Sequence, residues 1–555
     1  MSALFLPNSA WVPVTTQRLR APKILWTGPD AESAGFDPGS VYCCPTDYEP
    51  AGTYTDETRL EVADRYGGIG IGNAGGSGRC SASSNGLQTK GVGVTPLVGP
   101  GADKYHSSGT LMLADAAAEA VYAGAYQAAL PFGAVPVLAL VATGGEYVRN
   151  LDHESQKCPR TLAIRPLVAR PAHFMRNLLH PAGRVPAGSS APGWTVDAVR
   201  TKQALALLAT NLKLTLGPSI ADGDEIAVLN AGLREVVRRF AWQCAAGFAK
   251  RLPHSTLGCS NIALSGAYLD FGLSNFVPAY RRLMWATGQD SWTEAQMPLN
   301  TLMTLRQQLG KYHLGKAATD VVSPEDMAAQ YGAALQERLA IEMARMGGLT
   351  EDLVAGCPPE LLRAWFAAMQ AIWTRGADER FVNPPGHMKD GGLTPAPRKR
   401  VQYDLNAVLT AAGPHGDALA MDAALRPLLD DGALRHKFVT TALAVRAWVR
   451  AETGVPAEVL HSYLGRQADR KNAELDLLRR ETTSVLGQFR DLEAAGDIER
   501  VGPEIDAALR QARHGLADLC PELPGSSGLD QLAALAGLRE VAPSRALLDA
   551  EAAVA

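Results

Sequence analysis

Asn261 and Asp270 stand nine residues apart within His254–Gly272, HSTLGCSNIALSGAYLDFG. The stretches NIAL and AYLD flank Ser265-Gly266, a two-residue turn signal, which predicts a hairpin with the amide and the carboxylate on its two arms. Hard oxygen donors of this kind suit Mg²⁺ bridging phosphates, and the pairing predicts an ATP site with Asn261 and Asp270 as the metal ligands. Ser260 precedes the Asn. A serine cannot serve as a carboxylate base near neutral pH, so any base chemistry beside Asn261 is altered.

Phosphates also need cations and close backbone approach. Lys90 lies in the strand-like LQTKGVGV, and Glu119 is the only Glu in the apolar helical run 111–130. An unpaired buried carboxylate costs several kcal/mol, so Glu119 is expected to orient Lys90, with Asp115 one turn earlier as the competitor. From Tyr66 to Arg79 half the residues are glycine, including Gly70, Gly72, Gly75, Gly76 and Gly78. Glycines let N–H groups approach phosphate closely. The run lacks a GK[ST] ending, and SASSN follows where a Rossmann turn would open a helix. Arg79 ends the run, and Arg165, Arg170 and Arg176 in RPLVARPAHFMR are further phosphate-binding candidates.

The elements that must carry these residues follow in order. Residues 1–60, rich in Pro and Thr, read as an N-terminal arm over the next domain. Residues 61–150 combine the glycine loop, the Lys90 strand at 87–94, the helix at 111–130 and a buried strand at 135–141. The stretch 145–200 reads as loop-rich; helical patterns follow at 195–216 and 224–250, within a second lobe spanning 151–330 that bears the metal site. Residues 331–555 read as a helical C-terminal region, interrupted by the Pro/Gly linker 383–400. Leu475, Leu478, Thr482, Val485, Phe489 and Leu492 form a helical stripe expected to pack in a core. The expected fold class is α+β, a protein-kinase-like two-lobed fold with a large, mostly helical C-terminal extension.

Composition narrows the class. At 555 residues, 46% hydrophobic and 20% charged, the chain reads as a multidomain globular protein. The net charge of −4 gives no case for nucleic-acid partners. No uninterrupted apolar run of membrane-spanning length occurs, so no membrane insertion is expected. The eight cysteines form no CxxC pair, and a reduced, cytoplasmic setting is expected.

With these residues laid out, the chain resembles the selenoprotein-O-like pseudokinase family over about residues 15–275. Tyr66-Gly67-Gly68 through Gly78-Arg79 matches its glycine loop, and Gln88–Pro96 its LKGxGxTP strand. Glu119 through Gly133-Ala134-Val135-Pro136, then Trp242-Gln243, Gly247-Phe248 and His254, continue the match. Pro22-Lys23-Ile24-Leu25 and Ala34-Gly35-Phe36-Asp37 echo its opening. The resemblance implies protein adenylylation, with ATP flipped so that its α-phosphate faces the acceptor. It implies that Lys90 and the arginines hold the outer phosphates, Glu119 orients Lys90, and Asn261 and Asp270 hold Mg²⁺.

Departures from the family are specific. Ser260 replaces the family's Asp, Arg170 and Arg176 are six rather than seven apart, and a near-terminal redox Cys is missing. Divergent members of this sort resemble enzymes of bacterial microcin-type peptide maturation. The expected function is transfer of AMP to a protein or peptide acceptor. The alternatives are activation of a peptide carboxylate through AMP transfer, and a non-catalytic ATP-binding scaffold. The sequence leaves the oligomeric state open.

Overall fold

The computed structural model describes residues 4–46, 49–68, 75–98, 108–151, 154–177, 194–250, 252–272, 274, 293–375, 405–427, 429–466 and 485–516. The chain is a mixed α and β protein built on one eight-stranded sheet. Its strands are β1 (Trp11–Leu19), β2 (Lys23–Thr27), β3 (Tyr42–Cys43), β4 (Tyr54–Asp64), β5 (Cys80–Ala82), β6 (Leu87–Lys90), β7 (Ala139–Leu151) and β8 (Glu154–Pro166). Their order is β2-β7-β8-β6-β5-β4-β1-β3, and each neighbouring pair runs antiparallel.

Two expectations change here. The first 60 residues are not an arm lying over the sheet, because β1, β2, β3 and part of β4 belong to it. In β1, Val12, Val14 and Thr16 turn inward while Pro13 and Thr15 face out, the period-2 burial of a half-covered strand. The stretch from 145 is not loop: β7 and β8 pair through Leu151↔Glu154, carrying strand structure to Pro166. The Lys90 strand ends at Lys90 itself, and the buried strand expected at 135–141 begins at Ala139.

Helix α1 (Leu113–Ala129) matches its expected span closely. Alanine, the strongest helix former, dominates it. Leu130 leaves the helix with extended backbone, as the residue before Pro131 should. The pattern expected at 195–216 is two helices, α2 (Trp194–Leu205) and a shorter one at Leu208–Leu216; beyond them come α3 (Glu225–Ala249), α4 (Gln296–Leu309) and α5 (Pro324–Met346). Asp224 caps α3 by accepting the N–H of Ala227 at 2.8 Å.

One core joins α1, α3, α4 and the inner sheet face, around Tyr126, Phe174, Phe240, Tyr268 and Phe271. A second, purely helical core gathers Met343, Trp365, Met369, Phe438 and Tyr463. Two late helices, α6 (Val485–Ala495) and α7 (Val501–Leu516), return to the first core through Phe489, Leu492, Val501 and Ile505. Val485, Phe489 and Leu492 of the helical stripe are buried there. Its other members lie outside the described residues, as do 383–400. Among the described residues no helix is long and apolar enough to cross a membrane.

Candidate active site

Lys90 closes β6, paired with Cys80 on one side and Ala163 on the other. This register aims its side chain into the space between the sheet and α1. There its Nζ meets Glu119 Oε2 at 2.5 Å and Asp270 Oδ1 at 2.6 Å, bringing together residues 180 positions apart. Arg165 of β8 reaches the other oxygen of the same carboxylate, Oε1, at 3.0 Å. Lys90 and Glu119 have side chains only 3% and 4% exposed. A buried carboxylate is tolerable here because two cations share it. Asp115 has no part in these bonds, so Glu119 is the orienting residue.

The predicted hairpin is present. Ala263 N–H donates to Ala267 O at 2.8 Å, and Ile262 bridges Tyr268. Val135 N–H donates to Tyr268 O at 2.8 Å and Leu264 N–H to Ala169 O at 2.8 Å. These bonds fix the hairpin to the sheet unit. Leu269 N–H donates to Asn261 O at 3.1 Å, which sets Asp270 just beyond the paired Asn. Asp270 has φ +67, a left-handed conformation that Asp tolerates better than most residues and that recurs at functional sites.

Burial raises the Asp270 pKa, but the charges of Lys90, Arg165 and Arg79 outweigh it and hold the carboxyl well below the usual range. The side chain nevertheless keeps 40% of its surface open. It is therefore ionised, deeply seated and accessible on one side. Asn261 donates from Nδ2 to Thr256 O at 2.7 Å, leaving Oδ1 as the acceptor of the Ser260 hydroxyl at 3.0 Å. An amide oxygen and an ionised carboxylate on the two arms of one hairpin are donor types that fit a hard cation completed by phosphate oxygens and water. Among the described residues no cluster of three or more His, Cys, Asp or Glu offers a self-sufficient metal cage.

Four residues escaped the sequence reading. Arg165 Nε donates to Gln88 Oε1 at 3.0 Å, and Gln88 Nε2 donates to Asp64 Oδ1 at 3.0 Å. Asp64 binds Arg170 and, at 3.0 Å, His173. Arg170 Nη1 then donates to Ser260 O at 3.3 Å. A closed ring of polar contacts thus leaves the hairpin at Asp270, crosses the sheet, and returns to the hairpin at Ser260. Burial pulls the His173 pKa down to about 4, so its ring is neutral beside the Asp64 carboxylate. The fourth residue, Glu294, accepts the N–H of His254 at 3.1 Å and the N–H of Ser255, holding the start of the hairpin segment. Its carboxyl pKa is pushed up to about 7 by burial. These partners lie tens to more than a hundred positions apart, and no spacing rule marks them.

Other candidates take different places. Arg170 is buried in the Asp64 pair with its guanidinium 4.6 Å above the Tyr66 ring, so its role is to support the hairpin. Arg176 turns away to Tyr312, with Nη1 2.8 Å from the phenol oxygen. Gly70 and Gly72 lie outside the described residues. Gly75, Gly76 and Gly78 are buried against the body. Gly75 has φ +78, and a Cβ there would stand 2.9 Å from Asn177 Nδ2, so it is glycine for close packing and turn geometry. Arg79 acts electrostatically on Asp270.

Across the whole cluster four cations (Arg79, Lys90, Arg165, Arg170) meet three carboxylates (Asp64, Glu119, Asp270). The cations around Asp270 and its open side suit an anionic ligand carrying a divalent cation. Compared with known proteins, the chain matches no family model and no curated protein.

Proposed function

We propose that the chain binds MgATP against Lys90 and Asp270 and transfers AMP to a protein or peptide acceptor. The observation that carries this reading is the junction at Lys90, where a strand lysine, a helix glutamate and a hairpin aspartate meet within 2.6 Å. The further contact of His254 Nε2 with Leu269 O at 3.0 Å, joining the start of the segment to the residue before Asp270, supports the same plan. On this reading the sheet with α1 forms one lobe of a protein-kinase-like fold, and the hairpin with α3 and α4 opens the other.

Lys90, Arg165 and Arg79 would neutralise phosphate oxygens, while Glu119 keeps the Lys90 ammonium in place. Asn261 and Asp270 would hold Mg²⁺, which supplies charge neutralisation when bound. An acceptor hydroxyl oxygen forms a bond to the α-phosphorus, the bond to the pyrophosphate oxygen breaks, and the hydroxyl proton leaves to solvent.

Incubation with a candidate acceptor and ATP labelled at the α-phosphate should transfer the label. Lys90→Ala or Asp270→Ala should reduce transfer by roughly 10²–10³-fold, the usual scale for losing one charge-stabilising group. Transfer of γ-label instead would reassign the reaction to phosphoryl transfer.

A second reading, activation of a peptide carboxylate, is favoured by Ser260. Its hydroxyl donates to Asn261 Oδ1, where a base would need to accept a proton. A carboxylate acceptor is already ionised at neutral pH and needs no base. Acceptor-dependent pyrophosphate release without stable AMP on the product would select this reading.

A further inference from the structure

Helix α1, which carries Glu119, has its N-terminus capped from near the other end of the chain. Its flanking residue, Met112, makes no side-chain cap. Instead Glu493 of α6, 379 positions later, accepts the N–H of Ala114 on Oε2 at 2.9 Å. Glu493 is only 4% exposed. A carboxylate at this point satisfies a first-turn donor and meets the positive end of the helix dipole.

The second grip lies ten residues on. A Cβ at Gly124 would stand 2.2 Å from Leu509 Cδ2 of α7, so the absence of a side chain is what lets α7 close on the helix. At about 100° per residue, Ala114 and Gly124 straddle the direction opposite Glu119. The helix therefore shows Glu119 to Lys90 and Arg165 on one side and is held by α6 and α7 on the other. Helix α7 is tied in turn to β2 through Trp26 Nε1 to Asp506 Oδ1 at 2.9 Å, and the short turn before it, Ile498–Arg500, through Lys23 to Glu499 at 2.5 Å. Its start packs on the same strand, because a Cβ at Gly502 would lie 2.6 Å from Leu25 O.

We propose that α6 and α7 form a positioning element for the Lys90–Glu119–Arg165 cluster, with Glu493 as its positioning residue. Docking of 485–516 and occupation of the cluster are then coupled, and the coupling runs equally in both directions. Only the identity of the ligand rests on the nucleotide reading above; the positioning of α1 does not.

The test uses the full chain, with amide hydrogen exchange and MgATP affinity measured side by side. Glu493→Ala should speed exchange in 113–119 while the β7–β8 pair keeps its protection, and should weaken MgATP binding by about tenfold or more, the scale for a hydrogen bond to a charged acceptor. Glu493→Gln, whose amide oxygen can still accept from Ala114, should restore both, which a general loss of stability would not produce. In the wild type, MgATP should slow exchange in 485–512.

Unchanged exchange in 113–119 for Glu493→Ala, or loosening that Glu493→Gln does not rescue, would overturn the proposal. If wild type binds no MgATP while Glu493→Ala loosens α1, the positioning stands and the nucleotide reading falls. Should Glu493→Ala fail to fold, Leu509→Ala, which empties the space beside Gly124 without removing a charge, must loosen the same helix.

Discussion

Single residues divide by how far their partners lie along the chain. Lys90, Glu119 and Asp270 are legible from local signals: a lysine in a strand-like run, the single Glu of an apolar helix, and an aspartate nine residues after an asparagine across a turn. Asp64, Gln88 and His173 were not, since a carboxylate in β4 says nothing about an arginine 106 positions on. The buried imidazoles lead to a pH dependence. Burial lowers the pKa of His173 and of His254 to about 4, so the folded chain holds both neutral. Unfolded imidazoles take up protons near pH 6.5, so stability is present above that value and is lost as pH falls toward 4, by up to about 3 kcal/mol per ring. Glu294 works the other way: with its pKa raised to about 7, the folded state keeps a proton that the unfolded state releases above about 4.5. Two rings outweigh one carboxyl. Denaturant unfolding at pH 7 and pH 5 should show a net loss at the lower pH, and His173→Gln should flatten the difference.

At the level of elements, helices were read more faithfully than strands. The alanine run of α1 and the pattern of α3 declare themselves through propensity and period, and their ends fall close to expectation. Strands β7 and β8 carry Gly, Pro, Arg and Lys within ALVATGGEYVRNL and ESQKCPRTLAIRP, so their outer halves resemble loop. The alternation of Val12, Val14 and Thr16 was a strand signal hidden by the Pro and Thr content around it. Packing against α7 sets a contest at Gly124 that propensity alone would misjudge. Alanine in mid-helix gains about 1 kcal/mol over glycine, whereas forcing a methyl into a filled core costs about 1–3 kcal/mol. With Leu509 Cδ2 2.2 Å from the new Cβ, Gly124→Ala should lower the melting temperature. In a Leu509→Ala background the same change should raise it.

Across the whole molecule, two cores are joined by α3 and α5. Their junction is a buried knot in which Glu342, fully enclosed, lies 3.0 Å from Lys250 and also bonds Arg338, with Arg345 at 3.6 Å. Burial raises the Glu342 pKa, but the charges of Lys250, Arg345 and Arg338 pull it down to about 2. Removing the carboxylate by Glu342→Ala leaves three enclosed cations without their shared partner, and should cost about 3–5 kcal/mol. Calorimetry should then resolve separate transitions for the two cores; a single unshifted transition would contradict this account of the junction. The sheet order has a different consequence, one of timing. Both of its edges, β2 and β3, come from the first 43 residues, yet β2 cannot pair until β7 exists, and α7 packs on it. During synthesis β2 waits more than 470 residues for the helix that packs on it. An unprotected edge held that long invites pairing with a second nascent chain, so helices made late in synthesis finish a part of the molecule that was begun early.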